Sequence, residues 1–424
     1  MKILIVSDFD GTINKKDIGE EFARIIDNNS ELREQLIGSK ISMPDIYRRM
    51  LSREGMTLNT VRDFYVGQSV IDEHFIPFLQ FIEKHDIVHI IVSDGFDLLI
   101  QAALEKDGIE DHICVFANSI RDNGEGITVD FPFMTDDSSV FGVCKKSIVN
   151  AFRPYFDRII YVGNGYSDID AAPDADIVFA RSVLKKYCDE NRIPSVVYGN
   201  YGDIINLLSR SIKGIIFDLD GTLINSFSAI HESFNNTMRQ LGLPEYSYED
   251  VLKTIGMPLE YVMSRINGIH DAEQAVRMFR SHYETVYLGK TMLMPGVQQV
   301  IEELYNDGYV MAVSTNKLGK YSRILLDNLG IGGYFKSVVG VGDGLKAKPH
   351  ADTIDRIAKE LELKKDEMVY VGDSGIDAET ARNAGVDFIA IATGPSPFYE
   401  LAGSGAVVVL DTISKLPMYI RPIE

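Results

Sequence analysis

The sequence predicts an α/β protein with two tandem, doubly wound parallel-sheet cores, each carrying a helical cap. Three observations support this fold class: the chain length, an internal repeat, and short apolar runs that alternate with helical periodicity. The chain has 424 residues, which is too long for one ordinary domain. The apolar runs are continuous rather than alternating, as expected for parallel strands that are buried on both faces.

The two parts of the chain carry the same short segments in the same order. The segment ILIVSDFDGTI at 3–13 is similar to GIIFDLDGTL at 214–223, which lies about 210 residues further along. Other segments repeat at nearly the same distance: 90–95 with 311–316, and 161–165 with 370–374. A repeat this long indicates two whole domains rather than a solenoid. We expect them at 1–210 and 211–424, and call them the first and second halves.

Each half alternates strands with helices and contains one long insert. The predicted strands are 3–7, 87–92, 158–162 and 176–180 in the first half, and 214–217, 309–314, 337–341, 368–371, 387–391 and 406–410 in the second. Inserts rich in helix formers, at about 15–76 and about 225–293, separate the first two strands of each half. We expect each insert to cap the carboxyl ends of the strands, where doubly wound sheets bind ligands.

The composition narrows the function classes. Lys and Arg number 42 against 62 Asp and Glu, which gives a formal net charge of −20. This argues against broad binding to nucleic acid or anionic membranes, and no apolar run reaches the ~18–20 residues of a membrane span. The sequence has neither a GxxxxGK[ST] loop nor a zinc-type cysteine spacing. We therefore expect a cytoplasmic protein with reduced thiols that acts on small molecules.

The clearest chemical motif is Asp-x-Asp-Gly-Thr, directly after the first predicted strand of each half. It contains Asp8 and Asp10 in the first half, and Asp218 and Asp220 in the second. Residues i and i+2 of an extended chain point to the same side, so each pair of carboxylates should converge. Such a pair needs a cation or a proton between its members. One carboxylate can then act as a nucleophile while the other acts as acid and base.

Groups that suit a phosphate ester follow at later strand ends. The candidates are Ser93 and Lys145 in the first half, and Thr315 and Lys348 in the second, with Lys146 and Ser314 as alternatives to Lys145 and Thr315. A hydroxyl with nearby backbone N–H groups can bind phosphate oxygens, and a lysine can neutralise them. Further on, Asp373 offers a hard oxygen ligand for Mg²⁺, with Asp377 just behind it.

Taken together, Asp-x-Asp, Ser or Thr, Lys and Gly-Asp-x-x-x-Asp resemble, in this order, the motifs of the haloacid-dehalogenase superfamily. The resemblance covers nearly the whole chain, and both inserts lie where that superfamily has C1-type caps. It implies Rossmann-like cores and a Mg²⁺-dependent phosphatase that hydrolyses a small phosphorylated metabolite through an aspartyl-phosphate. The implied nucleophiles are Asp8 and Asp218, the implied acid–bases are Asp10 and Asp220, and the implied phosphate-binding residues are Ser93, Lys145, Thr315 and Lys348. The implied metal positions are Asp8, Asp10, Asn164 and Asp168, then Asp218, Asp220, Asp373 and Asp377.

The two halves resemble different branches of the superfamily. The first half is similar to phosphoserine-phosphatase-like proteins, and most of all to methionine-salvage phosphatases that act on a ketopentenyl phosphate, through Cys144-Lys145, 178–181 and 187–190. The second half is similar to phosphoglycolate phosphatases and β-phosphoglucomutases, through 315–317, Lys348-Pro349 and 255–258. Caps set specificity in this superfamily, so these likenesses do not transfer a substrate.

The first half departs from the pattern at Asn164, where the superfamily has a metal-binding aspartate. A carboxamide offers an oxygen without a charge, and even changes behind the metal ligands cost about 10–100-fold in metal affinity. Three interpretations stay open. The first site is weak or dead and serves as a scaffold or regulator, or it works with Asn164 or Asp168 as ligand. In the third, the position is altered, for example by deamidation at Asn164-Gly165.

Two further alternatives concern function and specificity. The second half could be a phosphomutase that uses the same residues but shields its aspartyl-phosphate from water. Cap residues that could contact substrate are Arg24, Arg48 and Arg49 in the first half, and His231, Phe234 and Arg239 in the second. Because the second half has an intact motif set, we expect it to be the competent phosphatase.

Overall fold

The computed structural model describes residues 1–19, 21–22, 41–109, 113–135 and 140–422. It divides into two compact units, Met1–Ser209 and Arg210–Pro422. We keep the names first half and second half for them, although Arg210 falls in the second unit and not in the first as expected. Each unit has its own central sheet. Among the described residues, no helix is both long enough and apolar enough to cross a membrane.

The described part of the first half contains a seven-stranded sheet. Its strands are β1 (Ile3–Ser7), β2 (Val88–Phe96), β3 (Cys114–Asp122), β4 (Ile127–Asp130), β5 (Arg158–Gly163), β6 (Ile177–Ala180) and β7 (Val196–Val197). The order across the sheet is β4-β3-β2-β1-β5-β6-β7. Every neighbouring pair is parallel except β3 with β4. β1 therefore lies inside the sheet, and all five of its residues are buried.

Helices cover this sheet and form part of its insert. They are α1 (Met43–Leu51), α2 (Leu58–Gln68), α3 (Phe75–Lys84), α4 (Asp97–Lys106), α5 (Lys145–Phe152), α6 (Ser182–Glu190) and α7 (Tyr201–Leu208). α1 and α2 belong to the insert, and each begins at a side-chain cap. Ser42 accepts a hydrogen bond from the backbone of Asp45, and Thr57 accepts one from Thr60.

The second half has a six-stranded, wholly parallel sheet in its described residues. All strands of this half are β8 (Gly214–Phe217), β9 (Ile224–Asn225), β10 (Met292–Leu293), β11 (Val310–Leu318), β12 (Phe335–Val341), β13 (Met368–Gly372), β14 (Asp387–Ile391) and β15 (Val408–Leu410). The order is β12-β11-β8-β13-β14-β15, and β9 pairs with β10 in a separate antiparallel ribbon. β8 thus occupies the same inner position as β1.

The cap of the second half rises from that ribbon. Its helices are α8 (Phe227–Gln240), α9 (Tyr248–Leu252), α10 (Leu259–Arg265) and α11 (Ala272–Val286). The remaining helices are α12 (Val297–Asn306), α13 (Gly319–Asn328), α14 (Asp352–Leu361), α15 (Gly375–Ala384), α16 (Phe398–Ala402) and α17 (Leu416–Ile420). α8 and α11 pack together and bury Phe234, Met238, Phe279 and Tyr283. Their apolar contact holds the cap as one body.

The structure confirms the α/β class with parallel sheets and corrects the strand count. The prediction lacks β3, β4 and β7 in the first half and the β9–β10 ribbon in the second. β3 and β4 form an antiparallel pair at the sheet edge, where β4 alternates between half-buried and exposed residues. A continuous apolar run does not identify such a strand. The turn sequence at 122–126 between two alternating segments is the signal that could have done so.

Candidate active site

The central strand of each half delivers its first aspartate to the carboxyl edge of the sheet. The backbone N–H of Asp218 donates to the carbonyl of Val371 at 2.8 Å, and that of Asp8 donates to Val162 at 2.9 Å. These bonds continue the ladder one residue beyond β8 and β1. Both aspartates are buried, with 4% exposure for Asp218 and 6% for Asp8.

In the second half, Lys348 joins two of the predicted carboxylates. Its Nζ lies 2.6 Å from Oδ1 of Asp218 and 2.6 Å from Oδ1 of Asp377, and it donates to the Tyr370 hydroxyl at 3.1 Å. Lys348 is only 2% exposed. A buried ammonium group requires such partners because its desolvation is costly. Burial opposes its charge, yet the carboxylates of Asp218 and Asp377 raise the Lys348 pKa well above its ordinary value.

Asp373 completes a compact group of carboxylates. Oxygens of Asp218, Asp373 and Asp377 all lie within 4.8 Å of one another, and all three residues are buried. The Thr222 hydroxyl donates to Oδ1 of Asp373 at 2.9 Å. A Cβ at Gly394 would lie 1.6 Å from Oδ2 of Asp373, so glycine is required to make room for this carboxylate.

The electrostatics of this group favour a divalent cation. Burial, with the neighbouring charge of Asp377, raises the pKa of Asp218 to about 7 although Lys348 opposes the shift. Burial and the charges of Asp218 and Asp377 also hold the pKa of Asp373 well above its usual value. Three crowded carboxylates share one ammonium group, and oxygen donors of this kind suit Mg²⁺. The residues present therefore fit the ion that the sequence predicts.

Asp220 has its own cation, which the sequence prediction missed. Nζ of Lys317 lies 2.9 Å from both carboxylate oxygens of Asp220, and the Ser226 hydroxyl also donates to Oδ1. The ammonium of Lys317 in turn lies 5.1 Å from the ring centre of Tyr283, in a cation–π arrangement. Lys317 thus connects the second aspartate of the motif with the cap.

Thr315, and not its alternative Ser314, borders the site. Thr315 lines the cavity that contains Asp218, and the backbone N–H of Lys317 donates to its hydroxyl at 3.1 Å. Ser314 is fully buried and shares a hydrogen bond of 2.8 Å with Thr353. Successive residues of a strand point to opposite faces, which is why only one of the two reaches the cavity.

The cavity extends from the strand ends to the underside of the cap. Its cap wall includes Phe234, which the sequence singled out, and Arg280, which it did not. His231 instead contacts the carbonyl of Tyr246 at 3.2 Å. Arg239 pairs with Glu245 at 3.1 Å on the half-exposed outer part of the cap. Neither His231 nor Arg239 is among the described residues that border the cavity.

The first half repeats the lysine bridge of the second. Nζ of Lys145 lies 2.6 Å from Oδ1 of Asp8 and 2.6 Å from Oδ1 of Asp168. The Tyr161 hydroxyl donates to the same oxygen of Asp168 at 2.7 Å. Lys145 is buried whereas its alternative Lys146 is exposed, so Lys145 is the residue that faces the site.

Asp10 has different surroundings from Asp220. The Tyr65 hydroxyl, from the insert, lies 2.9 and 2.8 Å from its two oxygens, and the Asn14 amide donates at 3.3 Å. Burial raises the pKa of Asp10 to about 7, although these hydrogen bonds oppose the shift. Ser93 is buried close by and accepts a hydrogen bond from the backbone of Gly95 at 3.0 Å.

Two further predictions concern the first half. Asn164 accepts a hydrogen bond from the Thr12 hydroxyl at 2.9 Å, in the place where Thr222 contacts Asp373.

Of the cap candidates, Arg48 and Arg49 are exposed, and Arg48 stacks on Phe131 at 4.9 Å. Arg24 lies outside the described residues.

The repeat contains signals for residues that the prediction left without a role. Tyr161 and Tyr370 occupy matched positions, and each hydroxyl contacts the last aspartate of its site. Thr12 and Thr222 are also matched, as the threonines of Asp-x-Asp-Gly-Thr. Lys317 has no counterpart of its own type. In the structure Gly95 takes its place, since the backbone N–H of Gly95 contacts Ser93 as that of Lys317 contacts Thr315, which is one position away from the sequence match of 90–95 with 311–316. Comparison of the two halves position by position would have identified the two tyrosines and the two threonines.

Family models match both halves of the chain. A family model described as haloacid dehalogenase-like hydrolase matches residues 5–173, and a second model with that description matches residues 215–391. A phosphoglycolate phosphatase from Cereibacter sphaeroides is 33% identical over 205 residues, which is 46% of this chain and 92% of that protein. One from Aquifex aeolicus is 33% identical over 174 residues, 41% of this chain and 82% of that protein.

Solved structures of the same kind cover about half of this chain. A haloacid dehalogenase-like family hydrolase from Streptococcus pneumoniae aligns with a TM-score of 0.47 and 27% identity, over 50% of this chain and 99% of that one. A putative phosphoglycolate phosphatase from Lactobacillus delbrueckii aligns with a TM-score of 0.46 and 26% identity, over 50% of this chain and 98% of that one.

Proposed function

We propose that this phosphomonoester hydrolase, which belongs to the haloacid dehalogenase-like hydrolase family, is a Mg²⁺-dependent phosphatase that works at the centre in its second half. Its substrate would be a small phosphorylated metabolite. The observation that carries the proposal is the buried group of Asp218, Asp373 and Asp377 with Lys348, in which Asp218 follows the central strand and lines the cavity under the cap.

Asp218 is the proposed nucleophile. One of its oxygens would attack phosphorus, forming an aspartyl-phosphate while the bond to the substrate oxygen breaks. Thr315 and Lys348 would hold the equatorial oxygens of the phosphoryl group, because both border Asp218 and can donate hydrogen bonds. Asp218, Asp373 and the backbone carbonyl of Asp220, with Asp377 behind them, would hold Mg²⁺, and the chemistry it would supply there is charge neutralisation at the phosphoryl oxygens.

Asp220 is the proposed acid and base. It would give a proton to the departing alkoxide and later take one from the water that attacks the aspartyl-phosphate. That second attack releases inorganic phosphate and regenerates Asp218. Lys317 and Ser226 contact the Asp220 carboxylate and would fix its orientation between the two steps.

Phosphoglycolate is the first substrate to test, because several relatives carry the name phosphoglycolate phosphatase. The full chain would be screened for phosphate release over a panel of phosphorylated metabolites that includes sugar phosphates. Wild type would be compared with Asp218→Asn and Asp8→Asn. We expect Asp218→Asn to reduce turnover by at least about 10³-fold and Asp8→Asn to leave a clear majority of it.

Two results would contradict this proposal. Full phosphate release by Asp218→Asn would exclude it as nucleophile, provided that circular dichroism shows a folded chain. Interconversion of sugar phosphate isomers without phosphate release would point instead to a phosphomutase.

A further inference from the structure

The two halves differ in the side chain that follows one inner strand, which is Asp373 in the second half and Asn164 in the first. In the second half, Oδ1 of Asp373 accepts a hydrogen bond from the Thr222 hydroxyl. The other oxygen, Oδ2, lies 2.4 Å from the position that a Cβ on Gly221 would take. In the first half, Oδ1 of Asn164 accepts a hydrogen bond from the Thr12 hydroxyl. The atom that lies 2.3 Å from the corresponding Cβ position, at Gly11, is Nδ2.

An amide nitrogen at that place cannot bind a cation. It is a hydrogen-bond donor, whereas Mg²⁺ binds oxygen. Turning the Asn164 amide over would present its oxygen, but that oxygen carries no charge. The bridge in the first half then has two carboxylates, Asp8 and Asp168, for the one ammonium of Lys145. Within the described residues, three acidic groups cluster at the strand ends of the second half and not at those of the first.

The local structure also opposes recovery of an aspartate by deamidation. That reaction requires the backbone nitrogen of Gly165 to lose its proton and attack the Asn164 carboxamide, which releases ammonia. The Gly165 N–H instead donates to Oδ2 of Asp168 at 2.8 Å, as does the N–H of Asn164 itself. A carboxylate that accepts from this N–H stabilises the protonated nitrogen and holds it away from the side chain.

We propose that the first half does not hold Mg²⁺ at its strand ends and does not hydrolyse phosphomonoesters. Of the two strand-end sites in the described residues, only that of the second half then holds a divalent metal. The repeat supplies its own control, because Asn164→Asp should add a metal site in the first half, Asp373→Asn should remove the one in the second, and the two changes together should move the site from one half to the other.

The test is a titration of the full chain with Mg²⁺ by calorimetry, and with Mn²⁺ by electron paramagnetic resonance. Wild type should bind one equivalent, Asn164→Asp two, and Asp373→Asn none. The double variant should bind one. Affinity at each altered position should change by about 10–100-fold or more.

Two equivalents of similar affinity in wild type would overturn the proposal, as would one retained equivalent in Asp373→Asn. A single equivalent in a folded Asn164→Asp chain would show that Asn164 is not what prevents binding. Circular dichroism and thermal unfolding would establish that each variant folds. If Asn164→Asp does not fold, the comparison of wild type with Asp373→Asn still decides the outcome.

A second proposal, which rests on the proposed function, concerns the cap of the second half. Arg280 on α11 lines the same cavity as Asp218 and donates from one terminal nitrogen to Glu260 at 2.5 Å. Its Nε is buried and has no hydrogen-bond partner. An unpaired buried N–H of a charged group is costly, so its presence at a cavity wall points to a ligand.

We infer that Arg280, on the cap wall of the cavity, binds a carboxylate of the substrate. A guanidinium group has five donors and suits a carboxylate, so it can keep Glu260 while it binds a second anion. Much of the remaining cap wall is apolar, as at Phe234 and Phe279, which suits a carbon chain between the two charged ends. The substrate class is therefore a small phosphorylated carboxylic acid.

The test compares phosphoglycolate with ethyl phosphate, which lacks the carboxylate, as substrates of the full chain. Arg280→Ala should raise KM for phosphoglycolate by about 10–100-fold, with kcat/KM for ethyl phosphate changed less than about threefold. Arg277→Ala, on the exposed side of the same helix, should change neither.

Equal losses on both substrates would overturn the role of Arg280 while leaving the proposed function intact. No phosphate release by wild type from either substrate would instead count against the proposed function. Rescue of the Arg280→Ala defect by Arg280→Lys, which keeps the charge, would separate the charge from the guanidinium shape.

Discussion

The matched lysines provide the sharpest test of how the two halves differ. Lys145 and Lys348 each lie 2.6 Å from two carboxylates, and both are 2% exposed. Replacement of either by methionine keeps the unbranched side chain as far as Cε but removes the ammonium group. The two carboxylates of that half are then left buried without their cation.

The expected loss of stability is similar for both variants. Removing one partner of a buried ion pair costs about 3–5 kcal/mol, because the remaining charge stays desolvated. For a unit of about 200 residues, each kcal/mol lowers the melting temperature by about 2–4 °C. The variants Lys145→Met and Lys348→Met should therefore each lower the melting temperature of their own half by about 6–20 °C.

Activity should separate the two variants. Differential scanning calorimetry without added metal would record unfolding, and phosphate release would record turnover at a temperature where both variants are folded. Lys348→Met should lose at least about 10²-fold in kcat, because Lys348 would hold the transferring phosphoryl group. Lys145→Met should keep most of the wild-type rate.

Two outcomes would refute this reasoning. A melting temperature within about 1 °C of wild type for both variants would show that the ion pairs contribute nothing. An equal loss of activity in both would show that the first half also takes part in turnover.

Three further predictions follow from individual contacts. Burial lowers the pKa of His89 to about 3, so the folded chain binds fewer protons than the unfolded one, and stability is lost as the pH falls from about 6.5 towards 3. Between pH 7 and 5, His89 lowers the free energy of unfolding by about 2 kcal/mol. His89→Phe should abolish this loss, and an equal fall in unfolding free energy for wild type and His89→Phe in urea titrations would contradict the prediction. Gly394→Ala should weaken Mg²⁺ binding by at least about 10-fold, because its Cβ would displace Asp373; unchanged calorimetric affinity would exclude that clash. Thr315→Ala should reduce kcat by about 10²-fold and Ser314→Ala by less than about threefold, and the reverse order in steady-state assays would reassign the phosphate-binding hydroxyl.

The central features of the fold and site could be predicted because they are local and repeated. The strand before Asp8 and the strand before Asp218 are continuous apolar runs, and a carboxylate two residues beyond each must lie at the same edge. The order of the motifs then brings Lys145 and Lys348 to those edges. Each of these inferences uses residues close together in the sequence or at one fixed repeat distance.

The parts that could not be predicted depend on contacts between distant elements. Lys317 reaches Asp220 from the end of β11, whereas Tyr65 reaches Asp10 from the insert. The periodicity of a cap helix does not show which of its side chains will face the cavity. The sequence therefore does not identify Arg280 as a cavity residue, and it wrongly suggests His231 and Arg239. The choice between Ser314 and Thr315 likewise required the pleat of the strand.

The electrostatic cost of a third buried carboxylate explains why one half has an aspartate and the other an asparagine at the matched position. In the second half, Asp373 adds a third carboxylate to a buried group with one ammonium, and repulsion from Asp218 and Asp377 helps raise its pKa well above the usual value. Without a cation this arrangement destabilises the fold, and a bound ion offsets that cost by mass action. An amide at Asn164 removes the repulsion and the affinity together. A half that binds no metal is therefore more stable with asparagine at this position. A half that binds a metal must keep the aspartate, although its buried carboxylate destabilises the metal-free fold.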